Sequence, residues 1–200
     1  MKIVILGPDG AGKSSVIHGL MKNLHPKGRA VKVRHLKHRI AFPDQGDASG
    51  VVEDPHGKPP RSLLISVGKV LLWLAEEWYG TLFLDKRRDL LIYDRYYHDL
   101  LIDSKRYRYG GPRWLAVVIG LLVPRPRLWL LLDAPSKVLQ ARKREVSPEE
   151  SERQRQAYLD FVRKQQNHVV IHAEQSLNKV VADTEKAITG ALREDEGHSV

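Results

Sequence analysis

The feature of this 200-residue chain that most constrains its fold is a glycine-rich segment between an apolar run and a helical pattern. Residues 7–14 read Gly-Pro-Asp-Gly-Ala-Gly-Lys-Ser and match the pattern G-x-x-x-x-G-K-[ST]. The apolar run 2–6 precedes them, and a segment with apolar residues at helical spacing follows from Lys13 to about His25. A phosphate-binding loop needs this context, because it joins a strand to the amino end of a helix.

The pattern assigns a role to each part of the loop. The glycines let backbone N–H groups curl around phosphates, the lysine reaches the β- and γ-phosphates, and the hydroxyl binds Mg²⁺. We therefore predict ATP and Mg²⁺ as cofactors, with Lys13 as a catalytic residue and Ser14 as a metal ligand. The residues predicted to bind ATP are Gly7, Asp9, Gly10, Ala11, Gly12, Lys13, Ser14 and Ser15.

Apolar runs alternate with segments of helical period along the rest of the chain, which is typical of an α/β fold with a parallel sheet. The pattern predicts one domain, 1–200, folded as a three-layer α/β/α sandwich around a five-stranded parallel sheet. Residues 37–61 are predicted to form a long loop, and the polar tail from about 193 to 200 to be frayed. The predicted strands are 2–6, 30–35, 90–93, 128–132 and 168–172. The predicted helices are 13–25, 62–79 (capped by Ser62), 136–144, 148–165 (capped by Ser147 in a capping box with Glu150) and 177–192.

Composition narrows the classes of partner. The chain has no cysteine and a net charge of +9, which suits phosphate-rich ligands, nucleic acids or anionic surfaces. The longest apolar run, 115–123, is too short to cross a bilayer as a helix, and no leader peptide is expected at Met1. We predict a cytoplasmic protein without a membrane partner. The nine histidines lack metal-ligand spacing.

A second acidic position follows the apolar run 90–93. Asp94 would face the ligand crevice from the carboxyl end of a parallel strand, where such a residue supports Mg²⁺; the alternative is a cap for the next helix. Arg95 beside it is suited to donating two hydrogen bonds to the oxygens of a phosphate. The alternative for Arg95 is a salt bridge to Asp94 or Asp99.

These residues resemble the thymidylate kinase family of nucleoside monophosphate kinases. The loop 7–14 is close to the family's xxDGAGK[ST], Asp94-Arg95-Tyr96 looks like its D-R-Y signature, and 130–135 resembles the strand that leads into its lid. The resemblance covers most of the chain. It implies the P-loop NTPase/nucleotide kinase fold, a lid at about 136–155 and a homodimer, for which the sequence gives no interface.

The resemblance also implies residue roles. Asp9 would touch the acceptor and Arg95 would hold its phosphate, both as catalytic residues. Arg142 and Arg144 would close over the ATP phosphates as catalytic lid arginines, with Arg153 and Arg155 as second choices. The alternative for each lid arginine is a solvated helix charge.

The chain departs from true thymidylate kinases after the second strand, where residues 33–43 lack the R-E-P-G-G-T stretch and are basic. This departure and the basic, aromatic block 103–111 resemble a divergent group associated with polysaccharide-related gene neighbourhoods. The predicted acceptor-binding residues are Asp9, His35, Lys37, Arg95, Arg106 and Arg108, with His38 and Arg39 as further candidates. The alternatives are a basic surface loop around His35 and a packed turn around Arg106. The helix carrying Trp73, Glu77, Trp78 and Tyr79 lines the acceptor pocket in relatives, although an aromatic stripe at helical spacing is more often core.

Three functions remain open. The first is an ATP- and Mg²⁺-dependent phosphotransferase acting on a small anionic acceptor, best a nucleoside monophosphate such as dTMP. The second is a kinase for a sugar or sugar phosphate in polysaccharide metabolism. The third, ranked last, is a nucleotide-dependent protein that binds nucleic acid through basic loops. The chain lacks the D-x-x-G, N-K-x-D and L-S-G-G-Q motifs, which argues against a GTPase switch and a transporter ATPase.

Overall fold

The computed structural model describes residues 1–24, 31–35, 59–84, 90–144 and 146–197. Of His35 it describes the main chain only. The candidates Lys37, His38 and Arg39, and most of the loop predicted at 37–61, lie outside these ranges.

A five-stranded, all-parallel sheet organises the described chain, which confirms the predicted α/β class and sheet. Its order is β2-β3-β1-β4-β5. All five predicted strands are present within about one residue; β3 and β4 each extend by one residue, to an aspartate. The strands are β1 Lys2–Leu6, β2 Val31–His35, β3 Leu90–Asp94, β4 Leu128–Asp133 and β5 His168–His172.

The central strands are almost continuous apolar runs because both faces of a parallel sheet are covered. Residues 3–6 of β1 and all six residues of β4 are buried. The register places Ile5 of β1 beside Asp94 of β3, so the turn after β1 and the acidic end of β3 lie at the same edge of the sheet.

Seven α-helices lie in the described ranges. They are α1 Lys13–Leu24, α2 Leu63–Tyr79, α3 Asp99–Ile102, α4 Arg113–Leu122, α5 Ser136–Arg142, α6 Pro148–Arg163 and α7 Leu177–Gly197. A π-helical segment, Gly80–Leu84, continues α2. No helix in these ranges is long and apolar enough to cross a membrane.

The helix predictions need corrections at both missing helices and element ends. Helices α3 and α4 were not predicted, because α3 is a single turn and α4 is apolar on most sides. Helix α5 ends at Arg142, two residues early, and α7 continues to Gly197, past the predicted start of a frayed tail. Ser62 precedes α2 but its side chain makes no capping hydrogen bond.

The predicted cap of α6 is confirmed. The Glu150 N–H donates to Oγ of Ser147 over 3.2 Å, and Pro148 occupies the first turn, where its missing N–H costs nothing.

The chain forms two compact units, and the prediction of a single domain stays a prediction. The first comprises Met1–His35, Asp85–Tyr96 and Arg125–Val200, and the second comprises Leu36–Leu84 and Tyr97–Pro124. The first holds the sheet with α1, α5, α6 and α7, around a core that includes Ile5, Leu20, Leu130 and Ile188. The second holds α2, the π-helical segment, α3 and α4; its centre is Trp73, packed edge-on against Tyr97 and Tyr107.

Candidate active site

The glycine-rich loop lies between the end of β1 and the start of α1. Gly7, Gly10 and Gly12 have φ angles of 149°, 84° and 86°, which L-residues with a side chain rarely adopt. A Cβ on Gly10 would lie 2.7 Å from the carbonyl oxygen of Leu139, whereas a Cβ on Gly12 would meet nothing within 4 Å. The loop is therefore held tightly at Gly10 and open at Gly12.

Lys13 turns back over this loop. Its Nζ donates to the carbonyl oxygens of Gly7 over 2.6 Å and Pro8 over 2.9 Å, and the side chain is buried. The ammonium therefore lies inside the curve of the loop, beside the amino end of α1. The helix dipole and this cation together make the site favourable for an anion.

Two side chains with oxygen donors lie beside the loop. Ser14 is exposed in the first turn of α1, and Asp94 is half-buried at the carboxyl end of β3, with its Oδ1 buried. Helix α3 begins only at Asp99, so Asp94 does not cap it. A hydroxyl and a carboxylate are the donors that Mg²⁺ prefers beside phosphates, so this pair is chemically suited to that ion. No group of three or more His, Asp or Glu side chains within the described ranges could hold a metal by itself.

Arg95 has a partner that sequence reasoning did not identify. Its guanidinium donates to Asp9 over 2.5 Å, and both side chains are about 15% exposed (15% and 14%). A long 3.5 Å contact joins it to the hydroxyl of Tyr158 on α6, which is buried. Arg95 has a φ of 70°, an uncommon value for a residue with a side chain, and its N–H donates to Ile5. Such local strain is concentrated at functional sites.

The fold thus brings together Asp9, Lys13, Asp94 and Arg95 at one edge of the sheet. Tyr158 was missed because it reads as one of the buried positions of an amphipathic helix. Its partner lies 63 residues away in the sequence, and no local pattern reports such a contact.

The four lid arginines lie in different environments. Arg142 is exposed and donates to the carbonyl oxygen of Ala173 over 2.8 Å, and Arg144 is exposed beyond the end of α5. Arg153 binds the carboxylate of Glu150 on the surface of α6.

Arg155 forms a bidentate salt bridge with buried Asp133 at the end of β4. Two of its guanidinium nitrogens donate to the two carboxylate oxygens over 2.7 and 2.9 Å. The hydrogen bonds with Asp133 raise the pKa of Arg155 above its usual value. This pair links α6 to the sheet, which is a structural task that the sequence did not reveal.

The remaining candidates belong to the second unit. The N–H of Arg106 donates to Asp103, and Nε of Arg108 donates to Pro59 over 3.0 Å. Arg108 also has a positive φ of 50°. Both residues belong to a turn at 104–108 that follows α3.

The aromatic helix of the second unit divides between core and surface. Trp73 and Glu77 on α2 are buried, whereas Trp78 and Tyr79 are exposed. Buried Lys69, which sequence reasoning passed over, donates to the carbonyl oxygen of Tyr107 over 2.9 Å and lies 5.0 Å from the ring of Trp73. The hydroxyl of Tyr107 in turn donates to buried Asp99 over 2.8 Å. The turn at 104–108 is therefore packed and its two arginines are half-buried, and acceptor binding by Arg106 and Arg108 stays a prediction.

No protein-family model matches the chain, and no curated protein matches it.

Proposed function

We propose that this chain is an ATP- and Mg²⁺-dependent phosphotransferase with a P-loop NTPase fold, a three-layer α/β/α sandwich. It transfers the γ-phosphate to a small anionic acceptor, and the best candidate for this acceptor is a nucleoside monophosphate such as dTMP. One observation carries the proposal. A loop with three positive-φ glycines follows a buried parallel strand and opens a helix, and the ammonium of Lys13 is folded inside its curve.

ATP would bind with its β- and γ-phosphates in this curve. The N–H groups of the loop and the Lys13 ammonium would donate to the phosphate oxygens. The hydroxyl of Ser14 and the carboxylate of Asp94 would hold Mg²⁺, which supplies positive charge beside the β- and γ-phosphates.

The transfer would be an in-line displacement. An acceptor oxygen forms a bond to the γ-phosphorus while the bond to the bridging oxygen of ADP breaks, and ADP leaves with that electron pair. Catalysis consists mostly of positioning and charge neutralisation by Lys13 and Arg95, with Arg142 and Arg144 as lid candidates.

The pair of Arg95 and Asp9 would serve the acceptor. The guanidinium is held beside the loop by Asp9 and Tyr158, so it is preorganised to bind a phosphate bidentately. An acceptor phosphate needs no strong general base. If the acceptor oxygen were a hydroxyl, Asp9 would be the base.

The experiment that tests the proposal is a coupled assay of ADP release with Mg²⁺ and ATP across two panels of acceptors. One panel holds nucleoside monophosphates and the other phosphosugars, because residues 33–43 lack the family's R-E-P-G-G-T stretch. We expect turnover with a member of the first panel. Turnover confined to the second would replace the nucleotide acceptor by a sugar phosphate.

The variant Lys13→Ala tests whether this turnover depends on the glycine-rich loop 7–14. We expect a loss of at least about 10²-fold in kcat, the scale seen when a preorganised charge-stabilising donor is removed. The control is Lys22→Ala, which removes an exposed lysine from the last turn of the same helix. Retained turnover in Lys13→Ala, or no acceptor-dependent turnover in the wild-type chain, would overturn the proposal.

A further inference from the structure

A cleft lies at the amino ends of the strands, at the edge of the sheet opposite the glycine-rich loop. It has a volume of about 320 Å³, and its lining includes Lys2, Arg125, Arg127 and residues 165–167; we call it the basic cleft. Lys2 begins β1, and the other residues directly precede β4 and β5. The glycine-rich loop follows the far end of β1, which has five residues and so spans about 16 Å. The two sites are therefore separate, and the basic cleft lies entirely within the first compact unit.

The charge of this lining has one sign. Three basic side chains and three carboxamides line the cleft, and none of the described residues around it is acidic. Carboxamides donate through N–H without adding a negative charge. A concave surface with charge of one sign raises the local concentration of ligands of the opposite sign, and the net charge of +9 acts in the same direction. The cleft is therefore suited to an anion.

Two prolines restrict the segment that carries the arginines. Residues 124–127 read Pro-Arg-Pro-Arg. Each proline ring fixes its own φ, and the residue before a proline is restricted to extended conformations, which applies to Arg125. The main chain that presents both guanidinium groups to the cleft therefore loses little freedom when a ligand binds.

Main-chain hydrogen bonds fix the two sides of the cleft to each other. The N–H of Arg127 donates to the carbonyl oxygen of Lys2 over 2.8 Å, and the N–H of Trp129 donates to the carbonyl oxygen of Asn167 over 2.9 Å. Both bonds join residues that line the cleft. The cleft is therefore formed before any ligand arrives, which is typical of sites for small molecules and reduces the cost of ordering on binding.

The ammonium of Lys2 is held against aromatic rings. Its Nζ lies 5.1 Å from the ring centre of Tyr93 and 5.6 Å from that of Tyr96, and such contacts attract a cation. Trp129 packs edge-on against Tyr96 and is only 3% exposed, so its ring offers little surface on which a nucleobase could stack. The recognition chemistry of the basic cleft is therefore that of charge and hydrogen bonds.

We propose that the basic cleft binds the diphosphate group of a small molecule, either inorganic pyrophosphate or a nucleoside diphosphate. A guanidinium donates two hydrogen bonds to one phosphate, so Arg125 and Arg127 suit two linked phosphates, with Lys2 as a third cation. The volume of about 320 Å³ is at the lower end of the range for ligand pockets, about 300–1,000 Å³.

A nucleic-acid strand fits this site less well. Proteins that bind single strands follow the backbone with positive charges along an extended groove, whereas the three cations here face one small cleft. The proposal does not depend on the proposed phosphotransferase activity.

The first test is calorimetric titration of Lys13→Ala with inorganic pyrophosphate. This variant is used because pyrophosphate also suits the glycine-rich loop, from which the substitution removes the ammonium. We expect binding with a Kd below about 1 mM. Absence of binding at this concentration overturns the proposal, and so does binding that occurs in the wild-type chain but not in Lys13→Ala. Either result leaves the phosphotransferase proposal to its own assay of ADP release.

Removal of one arginine tests whether the binding occurs in the basic cleft. In Lys13→Ala/Arg125→Ala we expect the Kd for pyrophosphate to rise at least about tenfold, the scale of one charge-assisted hydrogen bond. Arg125 is exposed, so the far-ultraviolet circular dichroism should be retained. The matched control is Lys13→Ala/Arg193→Ala, which removes the same charge from an exposed position of α7. Equal weakening in both variants would show general attraction to a basic surface and contradict the proposal.

Amide hydrogen exchange gives the location independently. On addition of pyrophosphate to Lys13→Ala, we expect slower exchange in 125–129 and 165–168 and no change in 7–14. Slower exchange confined to 7–14 would contradict the assignment.

Three further ligands, each titrated into Lys13→Ala and Lys13→Ala/Arg125→Ala, define the chemical class. Binding of ADP that is tighter than that of pyrophosphate and depends on Arg125 identifies a nucleoside diphosphate as the ligand, and weaker binding identifies pyrophosphate itself. Citrate carries several carboxylates but no phosphate, and equally tight binding of citrate would contradict a diphosphate site. A single-stranded oligonucleotide that binds more tightly than both phosphate ligands through Arg125 would assign the cleft to nucleic acid and overturn the proposal.

Discussion

Among single residues, the glycines of the loop have separable tasks. Gly10 and Gly12 share nearly the same φ, so alanine at either position costs about 1–2 kcal/mol in backbone strain. Only at Gly10 does the added Cβ also press on Leu139, at 2.7 Å, which adds about 1–3 kcal/mol of overpacking.

We therefore expect urea unfolding to show a larger loss of stability in Gly10→Ala than in Gly12→Ala. Calorimetry should nevertheless show that Gly12→Ala loses most of its affinity for Mg-ATP, because its methyl group enters open space beside Lys13, where the phosphates are proposed to bind. Unchanged ATP affinity in a folded Gly12→Ala variant would contradict the site.

Arg95 provides a second prediction for single residues. Arg95→Ala removes the guanidinium held by Asp9, so we expect a rise in acceptor KM and a fall in kcat of about 10²-fold or more. The Kd for ATP measured by calorimetry should change by less than about threefold. Arg163→Ala, which removes an exposed arginine from the last turn of α6, is the control. A change in ATP affinity alone would show that Arg95 serves the nucleotide and not the acceptor.

Glu76 gives a pH dependence. Burial, and then the charge of Glu77, raise the pKa of Glu76, and its buried Oε1 has no hydrogen-bond partner among the described residues. Because the carboxyl pKa is raised in the folded state, ionisation of Glu76 reduces the free energy of unfolding. This loss is absent below the ordinary pKa of 4.5, and it is complete above the folded-state pKa. We expect Glu76→Gln to raise Tm at pH 7.5 but not at pH 4. Exposed Glu174→Gln is the control, and a larger gain at pH 4 would contradict the sign.

For the secondary-structure elements, two serines that look alike in the sequence differ in the structure. Both precede a helix, but only Ser147 accepts a hydrogen bond from a helix N–H. We expect Ser147→Ala to reduce the free energy of unfolding by about 1 kcal/mol in a urea titration. Ser62→Ala should cost clearly less. Equal losses in the two variants would show that the hydrogen bond of Ser147 does not stabilise α6.

The elements also show where sequence patterns stop being sufficient. The three central strands β3, β1 and β4 are short apolar runs because both of their faces are buried, which is a local property that the sequence shows. The edge strand β2 instead alternates apolar and basic residues. The apolar run 115–123 is similarly apolar, yet its residues 115–122 lie in α4, where Leu121 is exposed. Periodicity does not separate a short buried strand from an apolar helix.

For the whole molecule, ligand binding should increase the free energy of unfolding and raise Tm. Any ligand that binds only the folded state at 100 times its Kd adds about 2.7 kcal/mol, which corresponds to about 5–10 °C in Tm for a chain of this length. We expect this rise with Mg-ATP in differential scanning calorimetry, and its loss in Lys13→Ala. An equal rise in both proteins would place the nucleotide elsewhere.

The sequence by itself determined the five strands, the helix that begins at Lys13 and the glycine-rich loop 7–14 between the first strand and that helix. Strand patterns, helical period and loop glycines are set by neighbouring residues. Only the tertiary structure decided that Arg95 meets Asp9, 86 positions away, and that Arg155 meets Asp133. It also decided that one side of α2 is core and the other is exposed. Contacts of this kind depend on which elements the fold places side by side, and an apolar or charged residue carries the same local signal whichever neighbour it receives.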